Sequence, residues 1–304
     1  MSDIMRITRR TFTAQALASV VGLQAAAAAL AAEKPVRRYR GVSAQTYVWS
    51  QVLGEKGKKL GESLDPVFGE IHAGSYDGVE TMADFLGNAD FGDLLAKYGL
   101  KLTGIYSGAT CHDKEKGKQA VERLAKVGVQ LKKFRCEVLV VNPDPIGREK
   151  TDAELETQAQ TLNEIGRALR ESSVHLDIHC HAPEMRSNGR EFCRNLDHTD
   201  PAFVRLNADV DWIKRGGCDP YELLTKYADR IGSCHLRNGA GGVWSEALGD
   251  GDIDYRRIAK IFEKTKAPIW LTVELAYEGK TTRTRPLAED IALSRKYVRE
   301  VFGA

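Results

Sequence analysis

Five ionisable side chains stand at the ends of short apolar runs, where core packing alone would place an aliphatic residue: Glu80, His179, Asp209, His235 and Glu274. Four of them, His179, Asp209, His235 and Glu274, follow one another at intervals of roughly 30 residues, the length of one strand–helix unit. Residues so spaced arrive on neighbouring strands at one rim. Two imidazoles and two carboxylates make a mixed nitrogen and oxygen donor set that suits a single divalent ion: manganese, cobalt, zinc, magnesium or iron. Such a set leaves coordination positions for substrate oxygens. Any one of these residues alone is explained as a core histidine with its hydrogen bonds met, or as a helix cap. The four together are not what packing would choose.

The elements that must position them are legible as alternating patterns. Apolar β-like runs occur at 39–47, 78–80, 102–106, 138–141, 175–179, 205–209, 231–236 and 269–274. Amphipathic helical patterns fill 65–73, 85–98, 114–128, 152–171, 219–227, 254–264 and 287–301. Only the fifth connection, around Asp200–Val204, reads as too short for a full helix. Strand alternating with helix predicts an α/β protein with a parallel sheet. Eight strands in one domain predict a closed (β/α)8 TIM barrel. An open dinucleotide-binding sheet would want a Gly-rich first turn, and the sequence has none. In such a barrel the C-terminal ends of the strands carry the active site, which is where the five ionisable residues fall.

Before the barrel lies an address. Arg9-Arg10 followed by Phe12, an Ala-rich stretch from Ala14 to Ala32, and Ala29-Leu30-Ala31 together predict a twin-arginine signal peptide over residues 1–31. The protein is therefore expected in the periplasm or secreted, with the barrel occupying 38–304. Cleavage leaves about 270 residues, close to the size of one TIM barrel. The leader holds three arginines against one aspartate, so it accounts for the whole formal charge of +2 and the mature chain is neutral. A neutral domain has no general attraction for nucleic acid, and no later segment is long and apolar enough to span a bilayer. The six cysteines contain no C-x2-C pair, and a chain of this size needs no staples. They read as buried free thiols.

Several motifs point to one family. His175-Leu176-Asp177-Ile178-His179-Cys180-His181-Ala182-Pro183-Glu184 resembles the H-x-H-x-x-E signature after strand five of sugar isomerases and epimerases. Asp209-Val210-Asp211-Trp212 with Gly217-Cys218-Asp219-Pro220 resembles the D-x-x-W…G-x-D-P segment of the same group. Arg230-Ile231 leading to His235-Leu236-Arg237-Asn238, then Leu248-Gly249-Asp250-Gly251-Asp252-Ile253-Asp254, and finally Val273-Glu274 complete the pattern. From about Gly41 to Phe302 the chain resembles the xylose isomerase-like TIM barrel superfamily, with its sugar phosphate isomerase/epimerase and endonuclease IV-like branches.

The resemblance implies metal ligation by His179, Asp209, His235 and Glu274, although many members carry glutamate at the position of His179. It implies acid/base or supporting roles for Glu80 and His181, and Glu274 can serve as base as well as ligand. Arg237 is expected to orient a substrate oxygen. His112, Asn142 and Trp244 are further rim residues expected to touch substrate, while Glu184 and Glu246 read as solvated or structural. Asn238 stands where aspartate is common and marks a possible substrate difference.

This chemistry is proton abstraction beside a carbonyl that the ion polarises. Returning the proton to another face gives epimerisation, and to another carbon isomerisation; a leaving group β to the carbonyl gives elimination, as in a 3-keto-glycoside lyase. An exported enzyme meets free sugars and glycosides rather than phosphosugars, so the expected substrate is a non-phosphorylated small-molecule sugar or glycoside. Phosphodiester cleavage would want a basic groove, and a non-catalytic sugar-binding barrel would not need four intact ligand types.

Overall fold

A computed structural model of the chain describes residues 38–304. The predicted leader lies outside the described residues. Eight parallel strands close into a barrel: β1 (Tyr39–Gln45), β2 (Gly78–Met82), β3 (Lys101–Ala109), β4 (Val138–Pro143), β5 (His175–Ile178), β6 (Val204–Asp209), β7 (Ile231–Leu236) and β8 (Ile269–Val273). Each strand pairs with its sequence neighbours, and β1 closes the ring by pairing with both β2 and β8. The fold is the predicted (β/α)8 TIM barrel. Because helices cover the outside, the strands are buried on both faces and read as near-continuous Val, Ile and Leu runs. Among the described residues no helix is long and apolar enough to cross a membrane.

Local chemistry sets the helix starts. Thr151 and Glu154 form a capping box at the head of the helix Asp152–Arg170, with bonds of 3.3 and 2.7 Å. Asp113, Asp219 and Asp254 each accept backbone N–H groups of the following turn. Such a cap is worth about 1 kcal/mol. Asp219-Pro220 and Asp254, which stand in the family-like motifs, thus act here as helix starts.

Several elements differ from expectation, among them the short helix Val210–Arg215, which was not read at all. The connection between β5 and β6 holds the helix Arg186–Asp197, where no full helix was read. Its opening residues Ser187, Asn188 and Gly189 are left-handed, with φ of 50°, 59° and 74°, and this break hides the helical period in the sequence. The first strand stops at Gln45, because Tyr47 opens the helix Tyr47–Glu55. The pattern read over 85–98 is a 3-10 turn, Ala83–Gly87, followed by the helix Phe91–Lys97. All six cysteines are free thiols, four of them buried and Cys193 and Cys218 half-buried.

Candidate metal centre at the C-terminal end of the barrel

The ladder carries the rim residues one step past the strands. The backbone of His179 donates to Val141 O at 2.8 Å and that of Glu274 to Leu236 O at 3.0 Å, so both are held in register just beyond β5 and β8. Asp209 ends β6 opposite His235 of β7. His179, Asp209 and His235 are all buried, and one ligand atom from each lies within 4.8 Å of the others. Three of the four predicted ligands therefore converge.

Each imidazole is tied down from behind. His235 Nε2 donates to Glu80 Oε1 at 2.7 Å, which turns Nδ1 toward the other two carboxylates. That Nδ1 is buried, makes no well-aligned hydrogen bond among the described residues, and faces Asp209 Oδ2 at 3.9 Å and Glu274 Oε2 at 3.0 Å. On the other side, His179 Nδ1 contacts Asn207 Oδ1 at 2.9 Å, and its Nε2 faces Asp209 Oδ2 at 3.9 Å. A histidine whose outer nitrogen is hydrogen-bonded and whose inner nitrogen is free is the usual arrangement of a metal ligand.

The charges also suit a cation. Glu80, Asp209 and Glu274 are three buried carboxylates, and among the described residues Arg237 is the one arginine hydrogen-bonded to Asp209 and Glu274. Its guanidinium donates to Asp209 Oδ2 at 2.8 Å and also pairs with Glu274 Oε2. Burial raises the Asp209 carboxyl pKa, Arg237 opposes this, and the net direction is upward. For Glu274 burial acts in the same sense, but Arg237 and His235 outweigh it and hold the group well below the usual carboxylate range. Burial works against a charged His235, yet Glu80 and Glu274 together raise its pKa well above the ordinary value. His179 is pushed down to about 3 by burial first and by His235 second. An orphaned imidazole nitrogen, a second imidazole turned the same way and an excess of buried carboxylate fit a divalent ion.

The remaining predicted residues divide. Glu80 is 2 % exposed and lies behind His235, so of its two possible roles the geometry gives that of anchor rather than acid/base. A Cβ on Gly104 would come within 2.8 Å of Glu80 Oε2, so the bare glycine makes room for this carboxylate. Arg237 bridges two carboxylates, with its guanidinium 5.5 Å from the Trp212 ring and 4.9 Å from the Trp244 ring. Trp244 is part-buried, and its Nε1 donates to Asp211 Oδ2 at 2.7 Å. His181 stands edge to face with His179 at 4.7 Å and with Trp212 at 5.0 Å. Burial, then His179, lowers its pKa to about 4, which leaves a neutral ring.

His112 and Asn142 occupy the same end of the barrel, just after β3 and near the end of β4, and each keeps one buried polar atom without a partner among the described residues, Nδ1 and Oδ1 respectively. Glu184 and Glu246 are buried rather than solvated. Glu184 accepts the His181 backbone N–H at 2.8 Å, and Glu246 holds Thr284 through its N–H and hydroxyl at 2.6 Å each. Asn238 is buried and ties down the loop after β7. Its amide donates to Gly249 O and Ile253 O and accepts from Gly239 N and Ile253 N, a double-donor role that aspartate could not fill.

Sequence reasoning missed Tyr106, whose ring meets His179 edge-on at 5.5 Å, and the buried polar residues Asp177, Asn207 and Ser233 beneath the rim. A signal for the latter existed. His175, Asp177 and His179, then Arg205, Asn207 and Asp209, then Ser233, His235 and Arg237, all recur with the period of two that marks one strand face.

The comparisons agree with this picture. The family model described as "Xylose isomerase-like TIM barrel" matches residues 70–297. The chain is 29% identical over 177 residues to the inosose dehydratase of Clostridium tetani (strain Massachusetts / E88), covering 51% of this chain and 58% of that one. It is 28% identical over 226 residues to the inosose dehydratase of Geobacillus kaustophilus (strain HTA426), covering 68% and 71%. Among solved structures, a sugar phosphate isomerase/epimerase from Parabacteroides distasonis ATCC 8503 superimposes with a TM-score of 0.70 at 18% identity, over 85% of this chain and 93% of that one. The IOLI protein, described with a binding zinc atom, gives 0.63 at 16% identity over 79% and 92%. At such identities the structural likeness establishes the fold. The family match covers well over half of the sequence, and the chain belongs to the xylose isomerase-like TIM barrel family.

Proposed function

We propose that this chain is a divalent-metal-dependent enzyme that abstracts a proton beside a carbonyl of a non-phosphorylated sugar or sugar-derived ketone. The observation that carries this reading is the convergence of His179, Asp209 and His235, with both imidazoles anchored from behind and the His235 Nδ1 left without a well-aligned hydrogen bond among the described residues. His179, Asp209 and His235, with Glu274 beside them, would hold a divalent ion, and such an ion would supply the positive charge that polarises the carbonyl and acidifies the adjacent C–H. His181 is our candidate to take the proton: it borders the cluster, is part-exposed, and burial keeps its ring neutral. The part-exposed rings of Tyr106, Trp212 and Trp244 line the same region and suit the C–H faces of a sugar. Arg237 holds the Asp209 and Glu274 carboxylates in their orientation.

Among the outcomes of proton abstraction, the dehydratase names of the relatives favour elimination of a hydroxyl β to the carbonyl as water. Isomerisation and epimerisation use the same first step. The absence of phosphate from the substrate rests on the export address in residues 1–31, which also suggests a periplasmic or secreted location. The test is incubation of the manganese-supplemented protein in deuterium oxide with free ketoses, keto-inositols and 3-keto-glycosides. Deuterium next to the carbonyl, or a dehydrated product, is expected, with a loss of about 10²–10⁴-fold in His181→Gln. No exchange with any of these compounds overturns proton abstraction, and turnover confined to phosphosugars overturns the substrate class.

A further inference from the structure

The interior layers of a TIM barrel are normally filled by branched aliphatic side chains. Directly beneath the metal centre this barrel instead buries Asp177, Asn207 and Ser233, each at most 2 % exposed. They are joined into one chain. Arg205 Nε donates to Asp177 Oδ1 at 2.7 Å, Ser233 Oγ lies 2.6 Å from Asp177 Oδ2, Asn207 Nδ2 lies 2.9 Å from Ser233 Oγ, and Asn207 Oδ1 lies 2.9 Å from His179 Nδ1. Space is cleared for it. A Cβ on Gly232 would come within 2.3 Å of Arg205 Nε and 2.7 Å of Asp177 Oδ1.

The direction of every bond follows from the bottom of the chain. Asp177, salt-bridged to Arg205, has only acceptors to offer, so the Ser233 hydroxyl must donate to it. The Ser233 oxygen then accepts from the Asn207 NH2 group. That fixes the amide with its oxygen toward His179, and the His179 Nδ1 must carry the proton. We infer that Asp177, Ser233 and Asn207 are positioning residues that set the tautomer of His179, so that its Nε2 is always presented as a lone pair to the metal centre. Without this chain the amide is free to turn over, offer its NH2 group and favour the Nε2–H tautomer, which cannot ligate.

The inference deepens the metal reading and rests on it for its purpose, but its test separates the two. Ring 15N chemical shifts of His179 in the metal-free protein, labelled at histidine, report the tautomer directly; cobalt(II) titration reports affinity. The wild type is expected as Nδ1–H. Ser233→Ala, which touches neither the imidazole nor the ligand cluster, is expected to mix the tautomers and weaken cobalt binding by about 10–100-fold. Ser233→Thr, which keeps the hydroxyl, is expected to restore both. An Nε2–H tautomer in the wild type, or a Ser233→Ala variant with unchanged ring shifts, overturns the inference. Failure of the wild type to bind cobalt while the ring shifts still follow Ser233 leaves the tautomer control standing and overturns the metal reading alone.

Discussion

The two histidines of the centre lie 4.9 Å apart, ring to ring, yet the regions that hold them are built on different principles. On the β5–β6 side a neutral amide backs His179, and the nearest carboxylate in that chain, Asp177, is two hydrogen bonds further on. On the β7–β2 side a carboxylate, Glu80, backs His235 directly. The consequences are opposite. His179 is driven toward neutrality by burial, while His235 overcomes burial because two carboxylates surround it. Identical residue types at one end of one barrel therefore differ in donor strength, and the difference comes from the atom behind the ring. The carboxylate-backed imidazole is the stronger donor.

The largest effect is expected where both regions fail together. Asp209 Oδ2 is 3.9 Å from each imidazole, so Asp209→Asn should weaken divalent-ion binding by more than about 100-fold, beyond the range of changes behind a ligand. The amide still caps the helix Val210–Arg215 through Trp212 N, so the fold should survive. Cobalt titration with circular dichroism checks both statements; full affinity in the variant would remove Asp209 from the site.

A smaller effect tests the contrast itself. Glu80→Gln places an amide behind His235, as Asn207 stands behind His179, and so makes the two regions alike. Affinity should fall by about 10-fold, the low end for such changes, and the His235 pKa, read from ring 15N shifts against pH, should drop from its raised position. An unshifted pKa would mean that Glu274 alone sets the charge of His235.

The smallest effect belongs to the far end of β5, where His175 serves as a control outside the centre. Burial first, and Arg205 second, push its pKa from 6.5 down to about 4. The unfolded chain takes up this proton near pH 6.5 while the folded protein resists until about 4, so the contribution is complete above 6.5 and is lost as pH falls through that window. His175→Gln should flatten urea-unfolding stability across it. Solvent screening at this half-buried position keeps the change to about 1 kcal/mol or less. A variant as pH-sensitive as the wild type would assign the effect to another group.

Much of this architecture was legible in the sequence. All eight barrel strands were read in their places, as were most of the helices, because periodicity and caps such as Thr151-x-x-Glu154 are local signals. The helix Arg186–Asp197 was not, since Ser187-Asn188-Gly189 turns left-handed at its start and breaks the period. The ionisable strand ends stood out against their apolar runs. Asp177, Asn207 and Ser233 did not, although they alternate with those same residues, because a polar residue one step below the rim is unexpected in a packed barrel.

The sequence by itself determined which strand ends would carry nitrogen and oxygen donors, because residue type and strand direction are both local properties. Only the tertiary structure decided what each donor does. Glu80 lies 155 positions from the histidine it anchors, and Ser233 lies 56 from the aspartate that orients it. Tautomer, charge and lone-pair direction are set by such cross-strand neighbours, and barrel closure is what brings them together.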